Sequence, residues 1–287
     1  MTSLLCFGYG YSARRLVKLR ATDFSRVDAT IRRKARIADY FKEPVTFHPL
    51  DDSSAQRALH ESIRNASVAI ISAPPANGEC PVLGKFGGRL AAAPGLRLVQ
   101  YLSTTGVYGD HGGGWIDETT PPDPAPGRAG DRLNAETGWQ RWGLEAQKAV
   151  QIFRLSGIYG PGRSAIDSLK AGTAHRIVKP GQVFNRIHVD DIAQALTAGM
   201  NDGEPGIFNI ADDQPAPPQD VIAHAAKITG LEAPPEIPFD EAALSPMAAS
   251  FYASNKRCRN TRMKERLGLT LLYPTYREGL AAIAAQG

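Results

Sequence analysis

Short apolar runs alternate with stretches of helical periodicity along the first half of the chain, the pattern of a parallel sheet covered by helices on both faces. Runs at 3–7, 27–31, 45–48, 67–72 and 97–103 predict five strands, and Ala13 to Leu19 predicts a helix between the first two. A helix is expected from Asp131 to Gln147, with Trp139 and Trp142 on its buried face, followed by a sixth strand over 150–155 and a short seventh over 207–210. Between the fifth strand and that helix, Gly112 to Gly130 is rich in Gly, Pro and acidic residues, which predicts a loop, read as a flap over a cleft. Beyond Tyr159 the texture changes: Pro and Gly are denser, and helices are expected over 165–171, 190–200, 218–229 and 260–267. Pro217-Pro218 suits a helix start, because proline lacks only an N–H that the first turn leaves unpaired.

Composition narrows the class. The chain has 287 residues, 43% hydrophobic and 22% charged, as in ordinary globular proteins. Net charge is +4, yet the basic residues are scattered; the densest run, Arg32-Arg33-Lys34-Ala-Arg36, is short. A nucleic-acid protein shows a continuous basic stripe, so nucleic acid is not expected as a partner. Cys6, Cys80 and Cys258 are odd in number and lack CxxC spacing, which argues against a disulfide framework or a zinc site. The His and acidic residues show no metal-ligand spacing, so no metal is expected. The apolar N-terminus is too short for a signal or membrane segment, and the expected location is cytoplasmic.

Gly8-Tyr9-Gly10-Tyr11-Ser12-Ala13 follows the first predicted strand and opens the first helix. In that strand–turn–helix context it reads as the G-x-G-x-x-G/A dinucleotide loop. Gly8 permits the tight turn, Gly10 lets the backbone approach a pyrophosphate, and Ala13 keeps helix and sheet close. The helix N-terminus offers unpaired N–H groups to the anion. The second strand ends in Arg32-Arg33-Lys34 with no acid at its tip; forked, permanently charged guanidinium groups suit the 2′-phosphate of NADP better than the free 2′-hydroxyl of NAD. The expected fold is therefore α/β, a Rossmann-type doubly wound parallel sheet with a smaller C-terminal substrate lobe. Residues 1–160 plus 186–212 form the dinucleotide domain in this reading, and 161–185 plus 213–287 the substrate lobe.

Five segments carry a resemblance. Besides the glycine motif they are Ser103-Thr104-Thr105-Gly-Val-Tyr108-Gly109, Arg154-Leu-Ser-Gly157-Ile158-Tyr159-Gly-Pro-Gly-Arg163, Arg186-Ile-His188-Val-Asp190-Asp191 and Phe208-Asn209-Ile-Ala. In order and spacing the chain resembles the extended short-chain dehydrogenase/reductases, the family of nucleotide-sugar epimerases and dehydratases. The resemblance implies hydride transfer at a carbinol or ketone carbon, with Thr104 hydrogen-bonding the substrate oxygen. It places Asp51 or Asp52 at the adenine, Ala73, Pro74 and Pro75 around the phosphates and ribose, and Ser103 and Ile158 at the cofactor. It also implies a small-molecule substrate and, as often in this family, a homodimer.

The family's acid/base pair is a Tyr-x3-Lys on the helix after the active-site strand. Counting back from Glu136 by the family's spacing lands on Arg132 for Lys and Arg128 for Tyr, and no Tyr or Lys occurs between Gly109 and Gln147. Arg132 could still bind the ribose or stabilise an oxyanion, but Arg128 cannot be a general acid near neutrality, since its pKa exceeds 12. Two replacements are open. Tyr108 either donates the proton or packs beneath the flap. Tyr252 and Lys256 would share a face if they lie on one helix; they serve catalysis, a substrate anion, or only spacing. His188 reads as a structural hydrogen-bonder, and Asp117-Glu118 as structural. Arg163, Lys179, Arg186 and Lys256 form a candidate site for an anionic substrate, with Arg128 as a further contact. The leading expectation is an NAD(P)-dependent oxidoreductase or epimerase-like enzyme without the usual pair. The alternative is a catalytically silent NADP-binding sensor or scaffold.

Overall fold

A computed structural model describes residues 2–40, 42–76 and 78–286. In chain order its first elements are β1 (Thr2–Phe7), α1 (Tyr11–Arg20), β2 (Phe24–Ile31), β3 (Thr46–Pro49), α2 (Gln56–Asn65), β4 (Val68–Ile71), α3 (Pro81–Ala91) and β5 (Leu98–Thr104). They are followed by β6 (Trp115–Ile116), α4 (Arg128–Ala146), β7 (Ala149–Leu155), β8 (Gly157–Tyr159), α5 (Ala165–Lys170), β9 (Arg176–Val178), β10 (Arg186–His188), α6 (Val189–Asp202) and β11 (Gly206–Ile210). The last are α7 (Pro218–Thr229), β12 (Glu236–Pro238), α8 (Pro246–Tyr252), β13 (Arg257–Cys258), α9 (Thr261–Leu267) and α10 (Tyr276–Ala284).

Seven strands form one parallel sheet in the order β11-β7-β5-β4-β1-β2-β3. Strand order runs one way from β1 through β2 to β3 and the other way from β4 onward. The reversal between β1 and β4 is the topological switch point, where α/β sheets of this kind receive ligands at the carboxyl ends of their strands. Leu4 to Phe7 and Val68 to Ile71 are buried at every position, which is why these strands read as continuous apolar runs rather than alternating ones.

The chain divides into two compact units, one of residues 1–104, 125–154 and 192–208, the other of residues 105–124, 155–191 and 209–287. In the first, Leu5, Phe7, Ile63, Phe86, Tyr101 and Trp139 share one apolar cluster, each such side chain contributing about 1.5–3 kcal/mol by its burial. Trp139 and Trp142 meet edge to face at 5.3 Å, both buried as expected. The second unit has its own core around Tyr159, Ile166, Val221, Ala225 and Tyr276.

Two expectations are corrected here. The segment from Gly112 to Gly130 is not all loop: β6 pairs in parallel with β13, and α4 already begins at Arg128. Tyr252 and Lys256 do not share a helix, because α8 ends at Tyr252 and Lys256 lies in the extended stretch before β13.

Candidate functional site

The glycine turn after β1 is built as its sequence demands. Gly8 sits at φ +96, a backbone region open to glycine at no steric cost, and a Cβ there would stand 2.7 Å from Ser72 Oγ. Its N–H donates to Thr30 Oγ1 at 3.0 Å, and Ser72 Oγ donates to its carbonyl at 3.0 Å. Gly10 is different: it is the N-cap of α1, and a Cβ on it would meet nothing within 4 Å. No side chain caps α1, so the positive end of its helix dipole has no side-chain acceptor there. Ser12 and Ala13 are buried against the sheet. Half-buried Tyr11 opens the helix.

At the tip of β2 the charges divide into two groups. Lys34 pairs with Asp52 at 2.8 Å and its N–H donates to Asp51 Oδ1 at 2.9 Å. Arg36 pairs with Asp39 at 2.5 Å. The Lys34 ammonium and the Ser54 hydroxyl hold the Asp52 carboxyl down at about 2, so it stays ionised. Arg32 and Arg33 are exposed, and their side chains make no hydrogen bond or ion pair among the described residues. After β4, Ser72 N–H and Ala73 N–H both donate to Phe7 O, at 3.0 and 3.1 Å. That brings Ala73 beside the glycine turn, with Pro74 and Pro75 following it.

The end of β5 carries the hydroxyls singled out in the sequence. Ser103 is buried and its Oγ donates to Glu136, which also accepts from Arg154 Nη2 at 2.7 Å and Nε at 3.1 Å. All three side chains are nearly sequestered from solvent. Thr104, one residue on, is partly exposed. Arg132 lies one helical turn before Glu136; its Nη1 donates to Leu102 O at 2.6 Å and to Tyr101 OH at 3.3 Å. The guanidinium that takes the place of the family's lysine therefore caps a strand carbonyl. Arg128, a further turn back, is exposed at the first position of α4. Tyr101 does not replace the missing acid: it is fully buried, and burial pushes its hydroxyl up to about 12 against the opposing charge of Arg132.

In the second unit Tyr108 is enclosed. Its side chain is fully buried, and its hydroxyl donates to Asn209 Oδ1 at 2.7 Å, a packing arrangement. Glu118 Oε1 accepts from Asn209 N–H at 2.7 Å, the structural part expected of the Asp117-Glu118 pair, and burial raises that carboxyl. Lys256 is buried, its Nζ donating to Gly109 O at 2.5 Å and Ser254 Oγ at 3.1 Å; burial lowers its pKa. Tyr252 is buried between Phe184 and Phe239, and Lys179 Nζ donates to its carbonyl at 2.5 Å. Arg186 Nη1 donates to the carbonyls of Phe184 and Ala216, each at 3.0 Å. Exposed Arg163 closes a turn with Gly160. Three of the four cations expected to gather around an anion thus hold backbone carbonyls instead. Ile158 lies half-buried in β8, and His188 Nδ1 accepts the Asp190 N–H at 3.2 Å, a structural bond as expected.

One arrangement escaped the sequence reading. Tyr9, inside the glycine motif, donates through its hydroxyl to Glu43 Oε2 at 2.5 Å, and Arg14 Nε reaches Glu43 Oε1 at 2.6 Å. Nothing local marks Glu43, since its partners lie 34 and 29 residues away.

Comparisons with known proteins place this geometry. A conserved protein of unknown function from Silicibacter pomeroyi is 45% identical, with a TM-score of 0.92, and the match covers 100% of this chain and 99% of that one. The dTDP-glucose 4,6-dehydratase of Bacillus anthracis, solved with NAD, shares the fold at TM-score 0.76 and 15% identity over 99% of this chain and 96% of that one. The chain shares its fold with the extended short-chain dehydrogenase/reductases. Within that fold its neighbours are NAD-dependent epimerases and dehydratases. A 3-diazoavenalumate denitrifying reductase from Streptomyces is 27% identical over 206 residues, 66% of each chain, so the chain spans just under two thirds of that relative's length. No protein-family model matches. Among the described residues no helix is long and apolar enough to cross a membrane.

Proposed function

We propose that the protein is an NADP-preferring oxidoreductase acting on a small carbonyl, hydroxyl or nucleotide-sugar substrate, with a reaction that does not use a Tyr-x3-Lys pair. The observation that carries the reading is the charge pattern at the β2 tip. Of the four cations from Arg32 to Arg36, Lys34 and Arg36 have carboxylate partners while Arg32 and Arg33 have none among the described residues. Two adjacent arginines repel each other and gain most from an anion that accepts forked hydrogen bonds. A 2′-phosphate offers that; a 2′-hydroxyl does not.

The residues present fit the cofactor. Gly8 and Gly10, with the uncapped N-terminus of α1, would hold the pyrophosphate; Arg32 and Arg33 would hold the 2′-phosphate. A bound NADPH supplies the hydride. Thr104, the partly exposed hydroxyl at the end of β5, would donate a hydrogen bond to the substrate oxygen and hold it in place. Arg132, fixed on Leu102 O, contributes a permanent positive charge beside that strand end and moves no proton. The name of the Streptomyces relative supports reduction as the reaction class. A silent NADP sensor is the second reading, favoured by one observation: Tyr108 and Arg132 are both committed to structural hydrogen bonds.

Fluorescence titration of the full chain with NADPH and NADH tests the cofactor. NADPH should bind at least about tenfold more tightly. Replacing Arg32 and Arg33 together by Ala should raise the NADPH Kd about 10- to 100-fold, as expected for lost charge-assisted hydrogen bonds, and move NADH less than about threefold. Tighter NADH binding would overturn the assignment. Oxidation of bound NADPH by a carbonyl panel, abolished in Thr104→Val, separates enzyme from sensor.

A further inference from the structure

We propose that Glu43 is a positioning residue for dinucleotide selection: it clasps the connection between β2 and β3 onto the glycine turn and so sets Arg32 and Arg33 at the 2′-phosphate. The proposal rests on the NADP reading above and adds the residue that organises it. Glu43 joins two places at once. One carboxylate oxygen accepts the hydroxyl of Tyr9, the residue between Gly8 and Gly10; the other accepts Arg14 Nε in the first turn of α1. Both bonds are short, at 2.5 and 2.6 Å, and Glu43 itself is only 19% exposed.

The rings around the clasp show the same convergence. Tyr9 meets Tyr40 edge to face at 5.5 Å and Phe47 of β3 at 5.2 Å, while Tyr40 and Phe47 stack at 5.2 Å. The Arg14 guanidinium lies 5.2 Å from the Tyr40 ring centre. Glu43 N–H donates to Tyr40 O at 2.9 Å, closing the turn that carries both. The connection is therefore held near both its ends: Lys34 is held by Asp51 and Asp52, and Tyr40 and Glu43 are held by Tyr9 and Arg14. Arg32 and Arg33 sit just before the first anchor.

A long basic side chain on a loose loop gives up rotamer and loop freedom when it closes on a phosphate, and that cost comes off the affinity. A clasped connection has lost the loop's part of it in advance. The clasp also makes the glycine turn and the basic segment one rigid piece, so pyrophosphate and 2′-phosphate are read at a set spacing. Removing the clasp should weaken whatever depends on that spacing. NADPH depends on it; NADH, which lacks the 2′-phosphate, needs only the glycine turn.

The test uses the full chain and fluorescence titration with NADPH and NADH. Glu43→Ala should raise the NADPH Kd about tenfold and the NADH Kd less than about threefold, narrowing the preference. Tyr9→Phe keeps the ring packing and removes one bond, so it should move NADPH in the same direction by about threefold; it also serves if Glu43→Ala does not fold. Equal losses for both nucleotides would make Glu43 a general prop and overturn the proposal, as would no loss at all. If the unmodified protein prefers NADH, the arginine reading has failed and the proposal goes with it. A wild-type NADPH preference that survives intact in both variants sinks the clasp alone.

Discussion

At the tip of β2, Arg32 and Arg33 stand exposed and unpaired among the described residues; at the tip of β5, Arg154 is bound two-fold by Glu136 and Arg132 by Leu102 O. The two strand ends belong to the same sheet and have the same kind of side chain beside them, Arg154 from β7 and Arg132 from α4 at the second. One keeps its charge available, where water keeps the cost of an unpaired cation low. The other encloses Arg154, where an unpaired charge costs several kcal/mol and the guanidinium must be matched. An arginine in a family's catalytic position is thus no evidence of catalysis until its partners are known. By that measure the β2 tip keeps charge at the surface while the charges facing α4 are spent on the protein itself.

The largest effect should come from breaking the enclosed end. Glu136→Ala leaves Arg154 buried without a counter-charge and should destabilise the fold by about 3–5 kcal/mol, read as a lower urea midpoint. A loss under about 1 kcal/mol would mean the pair is not enclosed as described, and the contrast would collapse.

Next is the open end. Gly10→Ala meets no protein atom within 4 Å, so the unfolding midpoint should stay put. The added methyl would occupy space reserved for the pyrophosphate, weakening NADPH by about 10- to 100-fold, the affinity counterpart of about 1–3 kcal/mol of overpacking. Unchanged affinity would show that the space is not where the dinucleotide lies.

A pH-dependent effect, spread over several units so that each step is small, sharpens the rule about matched charges. Asp212 is as enclosed as Glu136, but its Oδ2 has no hydrogen-bond partner among the described residues, and Arg186 Nη1 donates to two carbonyls. Burial lifts its carboxyl to about 8, against about 3.9 in an unfolded chain. Between those values the folded protein holds a proton that the unfolded chain has released, so this group makes stability fall as pH rises from about 4 to about 8. Asp212→Asn should remove a slope of about 1.4 kcal/mol per pH unit, gaining on the parent protein toward pH 8. Parallel stability profiles for the two proteins would show that Asp212 is ionised throughout.

Much of the framework was legible. Residues 3–7 and 97–103 predict strands that the structure places at Thr2–Phe7 and Leu98–Thr104, because runs buried on both faces need no distant partner to be recognised. Helix α10 went unread although its signal was present: Thr275 and Glu278 form a capping box, a local pattern four residues wide. The reading of Tyr252 with Lys256 failed for a different reason. Spacing of four suits a helix, but α8 stops at Tyr252, and Lys256 is drawn to the carbonyl of Gly109, 147 residues earlier.

What the chain determined by itself is short-ranged: strand positions, the glycine turn that only Gly8 can make, and the absence of a Tyr or Lys on α4. These follow from burial periodicity, backbone sterics and residue identity. Only the tertiary structure decided which charges are matched. It gave Tyr108 to Asn209, Arg132 to Leu102 O and Glu43 to Tyr9 and Arg14, and it left Arg32 and Arg33 open. A hydrogen bond is made within about 3 Å in space, and sequence distance carries no trace of that nearness.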